Sequence, residues 1–295
     1  MACLDARASA PQPVQWTPIA PATTDLFNVF ADAAGVWRCT DASCAHHAWS
    51  GGAVRTRTLP CAIRTFGSSP HGTHVAQVCD GKLVVTTLAT GRSSTHELPV
   101  ADVAELVVDD EGTVTATYDR SVVRVTATAV EGPFTLDVPR DAVVSGSAEL
   151  RPAIGPWLAY SDGAFSKEVA WRSGGAAPAA VPLHGGALFN GDQMWVSLMA
   201  SGYVKMTATG PVPVRGDVRG GLPGYGVLLD DKPWGPDGLL AHYEQAVLLL
   251  DHELVPVCSL LTPNGKGQSG RLGSDPTGTR LYYAAVDGSI SIATP

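Results

Sequence analysis

An all-β fold assembled from repeated units is what this sequence predicts, and three observations predict it. A proline that follows an aliphatic residue or a threonine recurs at intervals of about 40 residues. Strand-like runs rich in Val, Thr and Leu fill those intervals, four to an interval where the pattern is clearest. The 32 glycines and 22 prolines punctuate the chain too densely for long helices, and the longest stretch free of both, Thr113 to Glu131, is rich in Val and Thr. A period near 40 with four strands to each period is the signature of a β-propeller blade.

The proline marks are Thr17-Pro18, Leu59-Pro60, Leu98-Pro99, Val138-Pro139, Val181-Pro182, Val212-Pro213 and Val255-Pro256. Each is read as the end of the fourth, outermost strand of a unit, where a missing N–H costs least and discourages pairing with other chains. VQWTPIA, residues 14–20, carries such an ending with no earlier strands before it. Further on, His74–Val78, Lys82–Leu88 and Ser94–Leu98 are three strands separated by CDG and ATGR turns. The next unit reads VAELVVDD, TVTATYD, VVRVTATAV and FTLDV, and the one from Pro213 reads YGVLLDD, LLAHYE, AVLLLD and ELV. The interval between Pro182 and Pro213 is short. The last unit, GRLGSD, TRLYYAAV and SISIAT, has three strands. Residues 14–20 supply its fourth, so the two chain ends close a ring. Seven marks give a seven-bladed propeller of four-stranded antiparallel blades, with six or eight blades as the neighbouring counts. It spans 14–295 as a single domain behind a flexible N-terminal tether over 1–13.

DDEGTVTATYD, SDGAFSKEVAW and SDPTGTRLYYAAVDGSISI resemble the repeats of bacterial propellers of the TolB-like and YncE-like kind, WD40-like rings whose blades carry an S-P-D-G turn before an apolar strand. Ser274-Asp275-Pro276-Thr277-Gly278 departs from that order. The resemblance implies a ring closed by an N-terminal strand. It also implies a ligand-facing rim made by the second-to-third turns and the loops between blades.

A net charge of −8 argues against nucleic acid as a partner, since phosphate binding needs a cationic surface. No run of about 18 apolar residues is long enough to cross a membrane. On the implied rim, the loops between blades gather Arg140, His184, Arg215, Arg219, Lys266 and Arg271, and long loops on a rigid scaffold are where binding residues concentrate. The second-to-third turns place Asp41, Asp80, Asp119, Asp162 and Asp287 in register. A carboxylate ring could bind a cation, but Asp-Gly is first of all a hairpin turn. Gly265 to Gly270 matches G-x-G-x-x-G without the following helix that pyrophosphate binding needs. Arg215-Gly216-Asp217 is too short a match to an adhesion motif to count. His71-Gly72-Thr73-His74 lies between a first and a second strand and reads as a surface turn, because no third metal ligand accompanies it. Trp37, Trp49, Trp157, Trp171 and Trp195 fall on second or third strands, where aromatics pack blade against blade.

Of the six cysteines, Cys39 and Cys44 flank a hairpin turn and Cys61 and Cys79 share a blade, giving two candidate disulfides. With His46 and His47 the first pair could instead ligate zinc. Ala2-Cys3 followed by an Ala- and Pro-rich stretch looks like the mature end of a bacterial lipoprotein, with Cys3 as the lipid acceptor, or else like a short cytosolic tail. G-x-S-x-G, P-loop and H-E-x-x-H motifs do not occur, and no residue set requires a cofactor. The resulting expectation is a non-catalytic recognition propeller of the bacterial cell envelope, or a secreted one, that binds a protein partner through one rim. A lactonase- or lyase-type enzyme, or a glycan-binding lectin, is the alternative.

Overall fold

In the computed structural model the described residues are 14–293, apart from 24–26, 41–42, 53, 63–64, 101, 119–120, 136–148, 152–154, 162–167, 173–180, 191–192, 199–201, 208–209, 216–227, 235–237, 244–245 and 264–269. The described chain is all β, with antiparallel sheets that follow one another along the sequence. The first sheet holds β2 (Phe27–Ala31), β3 (Gly35–Thr40), β4 (Ser43–Ala48) and β5 (Arg55–Thr58). The second holds β6 (Phe66–Ser68), β7 (His74–Cys79), β8 (Lys82–Thr87) and β9 (Arg92–Glu97). The third holds β10 (Glu105–Val108), β11 (Val114–Tyr118), β12 (Ser121–Val125) and β13 (Val130–Thr135).

A seven-stranded sheet follows: β14 (Glu149–Arg151), β15 (Gly155–Ser161), β16 (Glu168–Arg172), β17 (Val181–Asn190), β18 (Gln193–Leu198), β19 (Gly202–Thr207) and β20 (Gly210–Pro213). In its middle, β17 pairs with β16 through Val181–Leu183 and, after a register shift, with β18 through Ala187–Asn190. Next come β21 (Leu228–Trp234), β22 (Gly238–Tyr243), β23 (Ala246–Leu250) and β24 (Pro256–Leu261). The final sheet holds β25 (Gly270–Ser274), β26 (Leu281–Ala285) and β27 (Ile290–Ala293), completed on its outer side by β1 (Thr17–Ala20). Thr17 lies opposite Ile292 and Pro18 opposite Ser291, so the N-terminal strand closes the last sheet as its spacing predicts.

The core lies between sheets rather than inside one. Alternate residues of each strand face opposite sides of a sheet, so an inner sheet carries apolar residues on both. Phe30, Trp37 and Leu59 of the first sheet meet Val75 and Leu88 of the second. Ala76, Leu83 and Val85 of the second meet Leu106, Val114 and Val123 of the third. Leu240, Val247 and Leu260 meet Leu272, Leu281 and Tyr283 of the last sheet, with Val14 and Trp16 packed against the same cluster. The seam between last and first sheets is filled by Tyr282, Ala284, Ile290 and Ala20 against Val29, Val36 and Trp49. Across the boundaries between sheets, β6 lies beside β10, β17 beside β21, β21 beside β25, and β25 beside β2.

Several boundaries differ from the sequence reading. Thr17-Pro18, Val181-Pro182 and Val255-Pro256 were each expected to end a fourth strand, but Thr17 opens β1, Val181 opens β17 and Pro256 opens β24, so these strands follow their marks. Proline fits the first residue of a strand as well as an edge, so the mark alone does not tell start from end. The run VVRVTATAV breaks at Thr126, whose N–H bonds the Ala129 carbonyl at 2.8 Å in a turn that separates β12 from β13.

Candidate functional site

Four of the first-to-second turns among the described residues share one construction. The residue immediately after the first strand is Asp32, Ser69, Asp109 or Asp275, and three residues later stands Gly35, Gly72, Gly112 or Gly278. In each case the short side chain accepts backbone N–H groups of its own turn. Asp32 Oδ1 takes Ala34 and Gly35 at 2.7 Å each. Ser69 Oγ takes Thr73 at 2.9 Å and His74 at 3.1 Å. Asp109 Oδ1 takes Glu111 at 3.1 Å and Thr113 at 2.7 Å, and Asp275 Oδ1 takes Arg280 at 3.1 Å. These are Asx- and Ser-type turns, in which the side chain replaces a ladder bond that the reversing backbone gives up. Asp32 also accepts from Trp37 Nε1 at 2.8 Å and His46 Nε2 at 3.1 Å, locking the first hairpin from inside.

Neighbouring turns are then bonded to each other. Asp110 accepts the His71 backbone N–H at 3.0 Å through Oδ1 and pairs with the His71 ring through Oδ2, while Thr73 donates to the Asp110 carbonyl at 2.9 Å. Burial alone would raise the Asp110 carboxyl. The His71 hydrogen bond and charge, with the His71 N–H and Ser69, outweigh burial and hold its pKa below the ordinary carboxylate value. Gly72, at φ +65°, lies against the Ala31 carbonyl, where a Cβ would approach to 2.8 Å. Trp234 Nε1 donates to the Gly278 carbonyl at 3.1 Å, tying β21 to the last sheet's turn. The carboxylate that the His71/His74 turn lacks in its own stretch of sequence thus comes from the next sheet. Among the described residues no group of three or more metal-ligating side chains forms.

On this rim, at the seam between first and last sheets, a half-open pocket of about 350 Å³ is lined by Ala34, Trp49, Ser50, Arg280, Ile292 and Ala293. The Arg280 guanidinium lies over the Trp49 ring, 5.9 Å from its centroid. Trp49 Nε1 is occupied by the Asp32 carbonyl at 3.1 Å, so the indole offers the pocket an apolar face. The sequence signal for this rim, Asp or Ser, two residues, then Gly after a first strand, is short and was visible in the stretches around Asp109 and Asp275.

The residues expected on the opposite rim are not brought together among those described. Arg140, Arg219 and Lys266 lie outside them. His184 falls within strand β17 rather than in a loop, because the strand runs on through Gly185 and Gly186 to serve two neighbours. Arg215 gives its backbone N–H to Glu253 Oε2 at 3.1 Å, with its exposed side chain 3.8 Å from the same carboxylate. Arg271 belongs to β25 and donates to the Phe27 carbonyl at 3.0 Å and to Asn28 Oδ1 at 3.3 Å, bracing the inner strands across the seam. In the second-to-third turns, Asp80 and Gly81 both have positive φ, as a tight hairpin requires. Asp287 spends its carboxylate on Ser289, whose N–H and hydroxyl bonds lower its pKa. Asp41, Asp119 and Asp162 lie outside the described residues.

Both predicted disulfides are present. Cys39–Cys44 crosses a hairpin between directly opposed residues with Cα atoms 3.9 Å apart, and Cys61–Cys79 spans a separation of 18 residues. This excludes zinc at Cys39 and Cys44 in the oxidised chain. Cys258 sits in β24 and is also disulfide-bonded, while Cys3 lies outside the described residues. Trp37, Trp49 and Trp195 are buried, as expected of packing residues. No helix among the described residues is long and apolar enough to cross a membrane.

These sheets and this rim define a β-propeller, and comparison with solved structures agrees. The chain is similar to a chain of the mitotic checkpoint complex, with TM-score 0.60 at 13% identity over 99% of this chain and 97% of that one. It is similar to YCF48 bound to D1 peptide, with TM-score 0.56 at 14% identity over 97% and 98%. A third likeness is to the WD40 repeats of RRP9, with TM-score 0.52 at 14% identity over 95% and 99%. No family model matches the chain, and no curated protein matches it. At these identities the likeness extends to the propeller fold and not to the TolB-like or YncE-like subtype.

Proposed function

We propose that the protein is a non-catalytic recognition propeller that binds a protein partner through one rim of the ring, in an oxidising compartment outside the cytoplasm. The observation that carries this reading is the cross-bonded rim of first-to-second turns. Side chains fixed by neighbouring sheets present a rigid, preorganised surface, which lowers the ordering cost of binding. The likeness to a propeller solved with a bound peptide supports it. The two disulfides favour the cell envelope or the exterior, where such bonds persist. We read the seven-stranded sheet as two blades sharing β17, which makes seven blades in one domain over 14–295. Arg215 and Arg219, expected on the opposite rim, are the competing binding surface.

Affinity capture with the folded chain tests the reading, with Arg280→Gln on one rim and Arg215→Ala/Arg219→Ala on the other. A stoichiometric protein captured by the wild type and lost with one rim's variant supports it and assigns the rim. Turnover of a small substrate with no captured protein defeats it. The lipid anchor that the sequence leads one to expect on Cys3 has its own test. Cys258 is disulfide-bonded, the other four cysteines of the described residues pair among themselves, and one sulfur cannot carry both a lipid and a disulfide. Non-reducing peptide mapping that finds Cys3 linked to Cys258 rules out the anchor; a diacylated Cys3 peptide upholds it.

A further inference from the structure

We propose that the seam pocket is a carboxylate site that takes a free carboxylate carried beside an apolar side chain of the partner; this rests on the recognition reading above and names what one pocket of that rim recognises. Three features of the pocket lead there.

First, its charge is a single cation. Among the described residues the Arg280 guanidinium is in no ion pair, although its residue is exposed and lines the pocket. The two nearest acids in the sequence of these turns are already committed. Asp32 accepts from Ala34, Gly35, Trp37 and His46. Asp275 accepts from Thr277 at 2.8 Å and Thr279 at 3.0 Å as well as from the Arg280 N–H. Asp32 accepts four bonds and has no lone pair to spare for the guanidinium, and Asp275 spends both its oxygens on its own turn.

Second, the guanidinium is placed beside an aromatic face. Its Cζ lies 5.9 Å from the Trp49 ring centroid, within cation–π range, and among the described residues its N–H donors have no hydrogen-bond partner. A guanidinium is a planar fork of donors that a carboxylate can take by two parallel bonds.

Third, the remaining walls are apolar. Trp49, Ile292, Ala293 and Ala34 give a surface for an aliphatic or aromatic side chain, and Ser50 adds a hydroxyl at the edge. A pocket of about 350 Å³ is at the small end for a drug-sized ligand and suits one or two residues of a peptide. Such a carboxylate has two sources in a protein, a C-terminus or an acidic side chain beside an apolar one.

Isothermal titration with three small probes tests the site and separates the sources: N-acetyl-leucine, N-acetyl-leucine amide, and the amidated dipeptide N-acetyl-leucyl-glutamic amide. The expected result is a Kd on the order of millimolar for a carboxylate probe, at least tenfold weaker binding of N-acetyl-leucine amide, and a tenfold loss with Arg280→Gln at an unchanged melting temperature. Arg280→Lys retains part of the affinity, and Ala34→Leu, which fills the pocket, abolishes it. Preference for N-acetyl-leucine indicates a C-terminus, and preference for the dipeptide an acidic side chain. Equal binding of acid and amide, no binding of any probe at tens of millimolar, or full binding by Arg280→Gln overturns the proposal. A captured partner protein that is retained by both Arg280→Gln and Ala34→Leu removes the pocket while recognition stands. Arg280-dependent probe binding with no protein partner removes recognition while the site stands.

Discussion

Asp110 stands 39 residues beyond His71, close to one repeat, and so occupies the same turn one sheet further round the ring. Its carboxylate collects the His71 N–H and ring, while its backbone carbonyl takes Thr73; replacing it with Ala keeps the carbonyl but leaves the His71 donors without their acceptor. The expected loss is about 1–3 kcal/mol of stability, read as a lower urea midpoint; an unchanged midpoint would show that the bracket between second and third sheets contributes nothing. Asp110 and Asp32 both have folded pKa values below the ordinary 3.8. In both, burial pushes upward and is outweighed by hydrogen bonds, from His71 in one and from His46, Trp37 and Ala34 in the other. A depressed carboxyl stabilises the fold above the unfolded value and loses that contribution as pH falls from about 3.8 through the lower folded value. His47 works the other way round on the pH scale. Burial, then the charges of Arg38 and His46, lower it below 6.5 against a raising bond at Ile19 of β1. The unfolded chain therefore holds a proton that the folded chain does not, and stability drains away as pH falls below about 6.5. His47→Gln should flatten the dependence of the melting temperature between pH 6.5 and 5; an unaltered slope would place the titration elsewhere. The pairing of His71 with Asp110 is not visible along the chain, because it joins the turns of two different sheets. The repeat period is the one clue, since positions about 40 residues apart become neighbours once the ring forms.

At the scale of elements, legibility followed punctuation. The third sheet's first two strands were readable because Asp-Asp-Glu-Gly and a tight turn isolate runs of Val and Thr. Strand β6 was missed: three residues, one of them Gly67, carry no periodicity. Pro256 misled because a proline at either end of an edge strand reads alike. His184 was assigned to a loop because Gly185-Gly186 looks like a turn, yet β17 uses that flexibility to shift register between two partners. Two predictions belong here. Removing residues 1–20 deletes β1 with Ala20 and the Trp16 contacts, including the 2.8 Å bond from Trp16 Nε1 to the Leu261 carbonyl. It should lower the melting temperature sharply, and an unchanged value would defeat closure by the N-terminal strand. By the chain-entropy estimate the Cys61–Cys79 bridge contributes about 3 kcal/mol and the tighter Cys39–Cys44 bridge about 2 kcal/mol. Cys61→Ala/Cys79→Ala should therefore cost more than Cys39→Ala/Cys44→Ala in chemical denaturation; the reverse order would contradict the loop-length argument.

For the whole molecule, the sheets make a ring whose core is divided among the interfaces between neighbours, and the seam between last and first sheets completes it. A repeat announces itself in one sequence because every copy obeys the same packing rule. A binding surface does not, because it is composed of turns that differ from blade to blade and converge only in three dimensions. That is why the propeller was legible and the rim was not: the sequence reading turned to arginines in inter-blade loops, while the described residues assemble the opposite face from Asp/Ser-x-x-Gly turns. The central claim is that this ring is a recognition platform. The measurement that tests it most directly is affinity capture from the native organism's envelope and soluble fractions, with the intact chain and the chain lacking residues 1–20 as paired baits. The account predicts one stoichiometric protein partner, held by the closed ring and lost when the seam is opened. Capture of no protein by the intact ring, or equal capture by the opened one, would contradict it.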